Sequence, residues 1–455
     1  MTPNILFLFP DQWRWDWLGC EQSPYGRVPV RTPNIDALAA RGMRFTQCRT
    51  NSPLCAPGRA CLATGRRYHR QNVPDNGTDL DPAIPNVFQA LRAAGYRVAT
   101  SGKNDLHKKT TFKGLTGWTR LLGQYGFTEA VDQSGKLDAN SNGRDRPNCS
   151  YTSHLHAQGL MGPYCADYDR RHKEASYTTA GWPGPLPRRH YTDDFCGQKA
   201  MDLLGHLPAD NPWMLWVNFP GPHDPWDPPA ELAARYDGIN FPPPVSPKGR
   251  YGDQSAVNHD RIRRLYAAEC EGIDEWVGRL TDAVAARGEL EHTLIVFASD
   301  HGEMLGDHGR FTKHVPEEGS VHVPLILAGP GVQPGVSEAL VELIDLAATC
   351  LDIAGVDPLP EADARSLVPT LEGRGQDHRA LQVSELLQWR SGFDGRWKLV
   401  QRPDGVQFDL QLDPAELTDV AAAEPDRVGR LKKALEAEAG VFAPRASSAS
   451  KAGKG

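Results

Sequence analysis

Cys55, Pro57 and Arg59 stand in the spacing C-x-P-x-R, at what reads as the mouth of a helix. Pro57 falls where a helix tolerates a residue without an N–H, and residues 60–63 (Ala, Cys, Leu, Ala) are types that a buried helix accepts. Cys55 then lies at the positive end of the helix dipole, with Arg59 one turn on and on the same face. Such a corner attracts anions. A lone Cys is more often a buried structural thiol than a nucleophile, so its chemistry depends on partners elsewhere in the chain.

Those partners follow buried runs. Asp11 and Gln12 come after the apolar residues 5–9, Lys103 and His107 after 96–100, His223 after 213–219, and Asp300 and His301 after 293–298. Each alone has a plain explanation as a turn residue, a helix cap or a solvated loop charge. Together with Lys313 they make a divalent-metal site ringed by cations beside a nucleophile. In DHGEMLGDHGRFTKH, residues 300–314, the glycines allow a tight loop carrying Asp300, His301, His308 and Lys313 round one point.

The elements that must position these residues are alternating strands and helices. A strand is expected over 5–9, a helix from Thr32-Pro33 closed by Gly42, and a strand over 43–48. A second unit pairs a helix at 85–95 with a strand at 96–100. Repeats of this kind indicate a parallel sheet with helices on its faces, and ligands gather at the C-terminal edge of such a sheet. Residues 104–190 show little periodicity and read as an irregular rim or lid over the site. Arg170, Arg171, Arg188, Arg189 and His190 are its substrate-binding candidates, each more commonly a solvated loop charge. Order resumes with a helix at 192–207, a strand at 213–219, a long amphipathic helix at 255–287, strands at 293–298 and 321–328, and a helix at 341–355. Beyond a linker over 356–376, short strands at 379–384, 397–401 and 407–409 and a helix at 425–439 form a small α+β appendage. The Ala-, Ser-, Lys- and Gly-rich end, 444–455, reads as a disordered tail.

A chain of 455 residues buries a large core. Its net charge of -7, with no basic run, excludes a general nucleic-acid surface. The start lacks a basic leader and a small-residue cleavage site, and no apolar stretch reaches membrane-spanning length, so a cytoplasmic location without membrane attachment is expected. Nine scattered Cys argue against a full disulfide framework, with Cys149 and Cys165 the exception if any pair forms.

CAPGR at 55–59 resembles the signature of the type I sulfatases of the alkaline-phosphatase superfamily, and the likeness covers nearly the whole chain. It includes PDQW at 10–13, TPNIDALAARG at 32–42, Asn76-Gly77, SGK at 101–103, GPHDPWDPP at 221–229, SDHGEMLGDHG at 299–309 and FDLQLDPAELTDVA at 408–421. The resemblance implies an α/β fold, a large mixed, mostly parallel sheet sandwiched by helices over 1–355, with a smaller C-terminal α+β subdomain over 356–443. It also implies that Cys55 is oxidised to formylglycine (3-oxoalanine) by a formylglycine-generating or other sulfatase-maturing enzyme. Asp11, Gln12, Asp300 and His301 would hold one divalent cation, Arg59 would orient the modified residue, Lys103 and Lys313 would bind the sulfate oxygens, His223 would serve the leaving oxygen and Asn76 would add a donor.

Three departures shape that expectation. Asp-Gln and Asp-His replace the common Asp-Asp and Asp-Asn pairs, a variant associated with choline-sulfatase and phosphonate monoester hydrolase relatives. With one carboxylate fewer and an imidazole gained, Ca²⁺ stays the first expectation and Mn²⁺ or Zn²⁺ is admitted more readily. Gly58 stands where Ser is usual. The Lys-x-His spacing is absent after Lys103, and either Asp105 or His107 fills that role, His107 first on chemical grounds. The expected reaction is hydrolysis of a small-molecule or saccharide sulfate monoester. The alternatives are a phosphonate monoester or phosphodiester hydrolase using the same site, and a binding homologue without the chemistry. Sugar, choline and aryl esters all remain open, and oligomeric state is not legible.

Overall fold

Four runs buried along nearly their whole length become neighbouring parallel strands in the computed structural model, which describes residues 2–375, 377–403, 408–411 and 413–448. They are Thr293–Ala298, Asn4–Leu8, Trp213–Asn218 and Arg97–Gly102, in that spatial order at the centre of an eight-stranded sheet. Leu6 lies opposite both Leu215 and Ile295, and Ala99 opposite Leu215. Glu129–Asp132 extends one side. On the other, Leu325–Ala328 runs antiparallel to Thr293–Ala298 and to Met43–Phe45, and Gly335–Ser337 closes the edge. The sheet is therefore mixed but mostly parallel.

Alternate residues of each strand point to opposite faces. Ile5, Phe7 and Trp216 enter one core with residues of the helices Cys55–Thr64, Val87–Ala93 and Asp345–Ile353. Leu6, Leu8, Leu215 and Val217 enter the other with the helices Pro33–Ala40, Thr192–His206 and His259–Ala286. A one-residue slip would exchange the two sets, and each large apolar side chain buried is worth about 1.5–3 kcal/mol. Register is thereby fixed, and with it the alignment of the four strand ends that carry Asp11, Lys103, Asn218 and Asp300.

Residues 104–190 are not irregular. They hold the strand Glu129–Asp132 and the helices Arg120–Gln124, Lys136–Gly143, Ser150–Ala157 and Met161–Glu174. The last three enclose a separate small core of Tyr151, Leu155, Tyr164, Cys165 and Tyr168. Its aromatic and polar composition hides the usual aliphatic periodicity. The suggested Cys149–Cys165 exception fails too, since all nine cysteines are free thiols. Cys149 Sγ instead caps the helix Ser150–Ala157, accepting from Thr152 N.

Other boundaries shift for local reasons. The strand expected over 43–48 divides into Met43–Phe45 and Cys48–Arg49, the second pairing with Val341–Glu342. That pairing takes the start of the helix expected from 341, which begins at Asp345. The strand expected over 321–328 shortens to Leu325–Ala328. The Thr32 hydroxyl accepts no capping bond from its helix; it accepts from Gly19 N and donates to Asp36 Oδ1.

The C-terminal part is a four-stranded antiparallel sheet, Gln382–Leu386, Trp389–Phe393, Lys398–Gln401 and Phe408–Gln411. The helix Pro425–Ala439 covers it with Leu431 and Leu435. Trp389–Phe393 was not anticipated, because Arg390, Ser391 and Gly392 give it no strand-like alternation. Residue 407 and residues 449–455 of the expected tail lie outside the described residues. Ser447 and Ser448 are bound: their hydroxyls donate to Asp75 Oδ2 and Oδ1, each at 2.7 Å.

Candidate active site

Cys55 is the first residue of the buried helix Cys55–Thr64, entered from extended Leu54 and ended by left-handed Gly65 at φ 64°. A Cβ at Gly58 would lie 2.8 Å from Ser52 O and 3.2 Å from Asp300 O. Backbone approach at this turn therefore favours glycine where the related pattern has serine. One turn on, Arg59 is fully buried. Its Nε donates to Asp300 Oδ2 at 2.9 Å, Nη2 to Asp11 Oδ2 at 3.2 Å, and Nη1 to Lys103 O at 2.6 Å and Asn218 Oδ1 at 2.7 Å. One guanidinium thus ties together the ends of four sheet strands.

Around Cys55 Sγ, ligand atoms of Asp11, Asp300 and His301 all lie within 4.8 Å of one another and of the sulfur. His301 Nε2 is 3.3 Å from Sγ, while Nδ1 is 3.1 Å from Gly302 O. A carbonyl only accepts, so Nδ1 carries a proton and Nε2 is the ring atom turned toward the cluster, the one that would ligate a metal ion. Two carboxylates, this imidazole and the Gln12 amide oxygen are a donor set that fits a divalent cation.

Cations close the ring. Lys103 Nζ donates to Asp11 Oδ2 and lies 3.4 Å from Cys55 Sγ. Lys313 Nζ donates to Gln12 Oε1 and to His223 Nε2, the latter at 2.7 Å, and His223 Nδ1 donates to Asp224 O at 2.7 Å. Asn76 Oδ1 accepts from Ala56 N at 3.1 Å, beside Cys55. Burial and Asp11 push the Cys55 thiol up, but Lys103, Lys313 and His301 outweigh them and hold it well below its ordinary value. Burial likewise raises Asp11, and Lys103, His223 and Arg59 reverse the effect and hold it well below the carboxylate range. Burial and the Asp11 charge raise Asp300. The pocket is therefore arranged to stabilise negative charge at position 55.

Not every sequence candidate converges here. His107 Nε2 is 3.0 Å from Asp132 Oδ2, without hydrogen-bond alignment, and Nδ1 is 3.5 Å from Lys113 Nζ. Asp105, not the preferred His107, touches Lys103, at 3.3 Å. The two extra residues after Lys103 carry the imidazole past the site. His308 sits on a turn at φ 54° whose backbone bonds Val245 and Tyr251. Arg170 pairs with Glu174 at 3.1 Å and packs on Trp182, and Arg189 donates to His190, so neither joins the cluster. Asn218, Asp224 and Glu303 were missed. Asn218 and Glu303 follow strand-end signals in the sequence, but their partners are distant residues that only the fold supplies.

With this geometry in hand, the chain can be set beside known proteins. The family model described as Sulfatase matches residues 3–356, and that of the N-sulphoglucosamine sulphohydrolase C-terminal region matches 306–439. A choline-sulfatase of Rhizobium meliloti is 31% identical over 460 residues, covering 92% of this chain and 82% of that protein. An arylsulfatase of Clostridium perfringens is 27% identical, covering 96% and 94%. Among solved structures, the phosphonate monoester hydrolase of Agrobacterium radiobacter superposes with a TM-score of 0.78 at 25% identity, covering 96% of this chain and 95% of that one. Among the described residues, no helix is long and apolar enough to cross a membrane.

Proposed function

The chain belongs to the sulfatase family, and from that premise we propose that it hydrolyses a sulfate monoester to an alcohol and inorganic sulfate, with Cys55 converted to formylglycine by a sulfatase-maturing enzyme. The observation that carries this reading is the position of Cys55 Sγ, at a helix start among Asp11, Asp300 and His301 and 3.4 Å from Lys103 Nζ.

The hydrated aldehyde supplies an oxygen nucleophile for sulfur and a second hydroxyl through which sulfate is released. Asp11, Gln12, Asp300 and His301 would hold one divalent cation, Ca²⁺ first, with Mn²⁺ or Zn²⁺ suited to the same donors. When bound, that cation offsets sulfate charge and makes the attacking hydroxyl more acidic. Arg59 keeps the two carboxylates in place. Lys103 and Lys313 receive the sulfate oxygens, where an uncompensated anion would be costly to bury. His223 would stabilise or protonate the departing oxygen, taking the proton from Lys313 Nζ, to which its Nε2 is bonded. Asn76 fixes the backbone next to residue 55. Unpaired thiols at the eight cysteines other than Cys55 support a reducing compartment, the cytoplasm, as the place of work.

A second reading, phosphonate monoester or phosphodiester hydrolysis, is favoured by the Asp-Gln and Asp-His pairs and by the 0.78 TM-score to a phosphonate monoester hydrolase. Matched aryl sulfate and aryl phosphonate esters separate the two. A higher kcat/KM on the sulfate is expected, and a consistent preference for the phosphonate would overturn the first reading.

A further inference from the structure

Gln12 is clamped in one orientation. Its backbone sits at φ 68°, its N–H donates to Asp300 Oδ1 at 3.1 Å, and its C=O accepts from the Tyr266 hydroxyl at 2.7 Å. At the side chain, Nε2 donates to Glu303 Oε2 at 2.5 Å and to Asp224 Oδ1 at 3.2 Å. A carboxylate oxygen accepts and an amide nitrogen only donates, so these two acids select the flip that leaves Oε1 on the other side. There Oε1 accepts from Lys313 Nζ. The acids are themselves fixed. Glu303 is fully buried, and its Oε1 accepts from Leu305 N at 2.9 Å and Thr312 N at 2.6 Å. Asp224 Oδ1 lies 3.3 Å from His223 Nδ1.

The mechanism uses neither acid directly, yet both face the one ligand position where this chain has an amide. We propose that Glu303 and Asp224 are positioning residues which require an amide at position 12, holding its oxygen toward the cation site and excluding a carboxylate from the same place. This rests on the reading of Gln12 as a cation ligand. An acid of the same shape would set an oxygen against Glu303 Oε2 where a donor now stands, leaving three carboxylates in one buried pocket. Position 12 is thus chosen by its neighbours as much as by the cation.

The test compares the full-length enzyme with Gln12→Glu, Glu303→Gln and the double variant, each stripped with chelator. Ca²⁺ binding is measured by titration calorimetry and Tm is read on the stripped protein. Gln12→Glu should lower Tm and weaken Ca²⁺ binding by about tenfold or more, although it adds a negative charge that would ordinarily favour the ion. Adding Glu303→Gln supplies a donor to the new oxygen and should restore both readouts toward wild type. A Gln12→Glu enzyme with unchanged Tm and equal or tighter Ca²⁺ binding would overturn the proposal. So would a double variant no better than Gln12→Glu alone, including one that folds no better. Wild-type protein binding none of Ca²⁺, Mn²⁺ or Zn²⁺ would refute the cation reading instead, while the Tm rescue still decides whether Glu303 demands an amide.

Discussion

Arg59 and Cys55 occupy one helical turn but carry different burdens. Arg59 pairs with two fully buried carboxylates, Asp11 and Asp300. Removing one member of a buried ionic group leaves uncompensated charge and typically costs about 3–5 kcal/mol. Arg59→Met should lower the urea unfolding free energy of chelator-stripped protein by that order, and a loss below about 1 kcal/mol would place the pair in the range of exposed salt bridges. Cys55→Ala removes a single sulfur, so turnover should vanish while stability changes by only about 1 kcal/mol. An unfolding midpoint that collapses while turnover per folded molecule survives would return Cys55 to a structural role. Much of this was legible because C-x-P-x-R and the strand-end residues are local patterns. The choice between Asp105 and His107 was not, since chain length after Lys103, and not side-chain chemistry, decides which group reaches the lysine.

At the scale of elements, the helix Asp345–Ile353 is fastened to the C-terminal part through its first residue. Asp345 accepts from Arg379 and from His378 Nε2. Burial pushes Asp345 up, but Arg379 and His378 reverse the effect and hold it well below the carboxylate range. A depressed carboxylate contributes stability that is fully present above its unfolded pKa of about 3.9 and is lost as pH falls through the folded value. Asp345→Asn should therefore destabilise the protein at neutral pH, with the gap to wild type narrowing on acidification below about pH 4. Urea midpoints across that range check it, and a gap independent of pH would contradict the ion-pair account. Strands such as Asn4–Leu8 and Thr293–Ala298 could be read from sequence because both faces are buried and every residue is apolar or nearly so. The helices within 136–174 could not, because their core is built from tyrosines and a thiol cap.

The whole molecule closes on the site through its C-terminal segment. Ser447, Ser448 and the Gly77 N–H all donate to Asp75, next to Asn76, whose side chain meets the peptide after Cys55. A tail-like composition gave no sign of this, since the partners are more than 370 residues apart. The double substitution Ser447→Ala and Ser448→Ala removes two hydroxyl bonds worth about 0.5–1.5 kcal/mol each. It should lower kcat/KM about threefold or more with little change in Tm, because the segment is peripheral to both main cores. A changed Tm with unaltered kinetics would make the segment a structural tie alone.

The proposed chemistry depends most on what stands at position 55. Mass analysis of the tryptic peptide containing residue 55, from enzyme made in its native host, tests that directly. An aldehyde or its hydrate is predicted. A peptide carrying only the unmodified thiol, from protein that turns over a sulfate ester, would contradict the central claim.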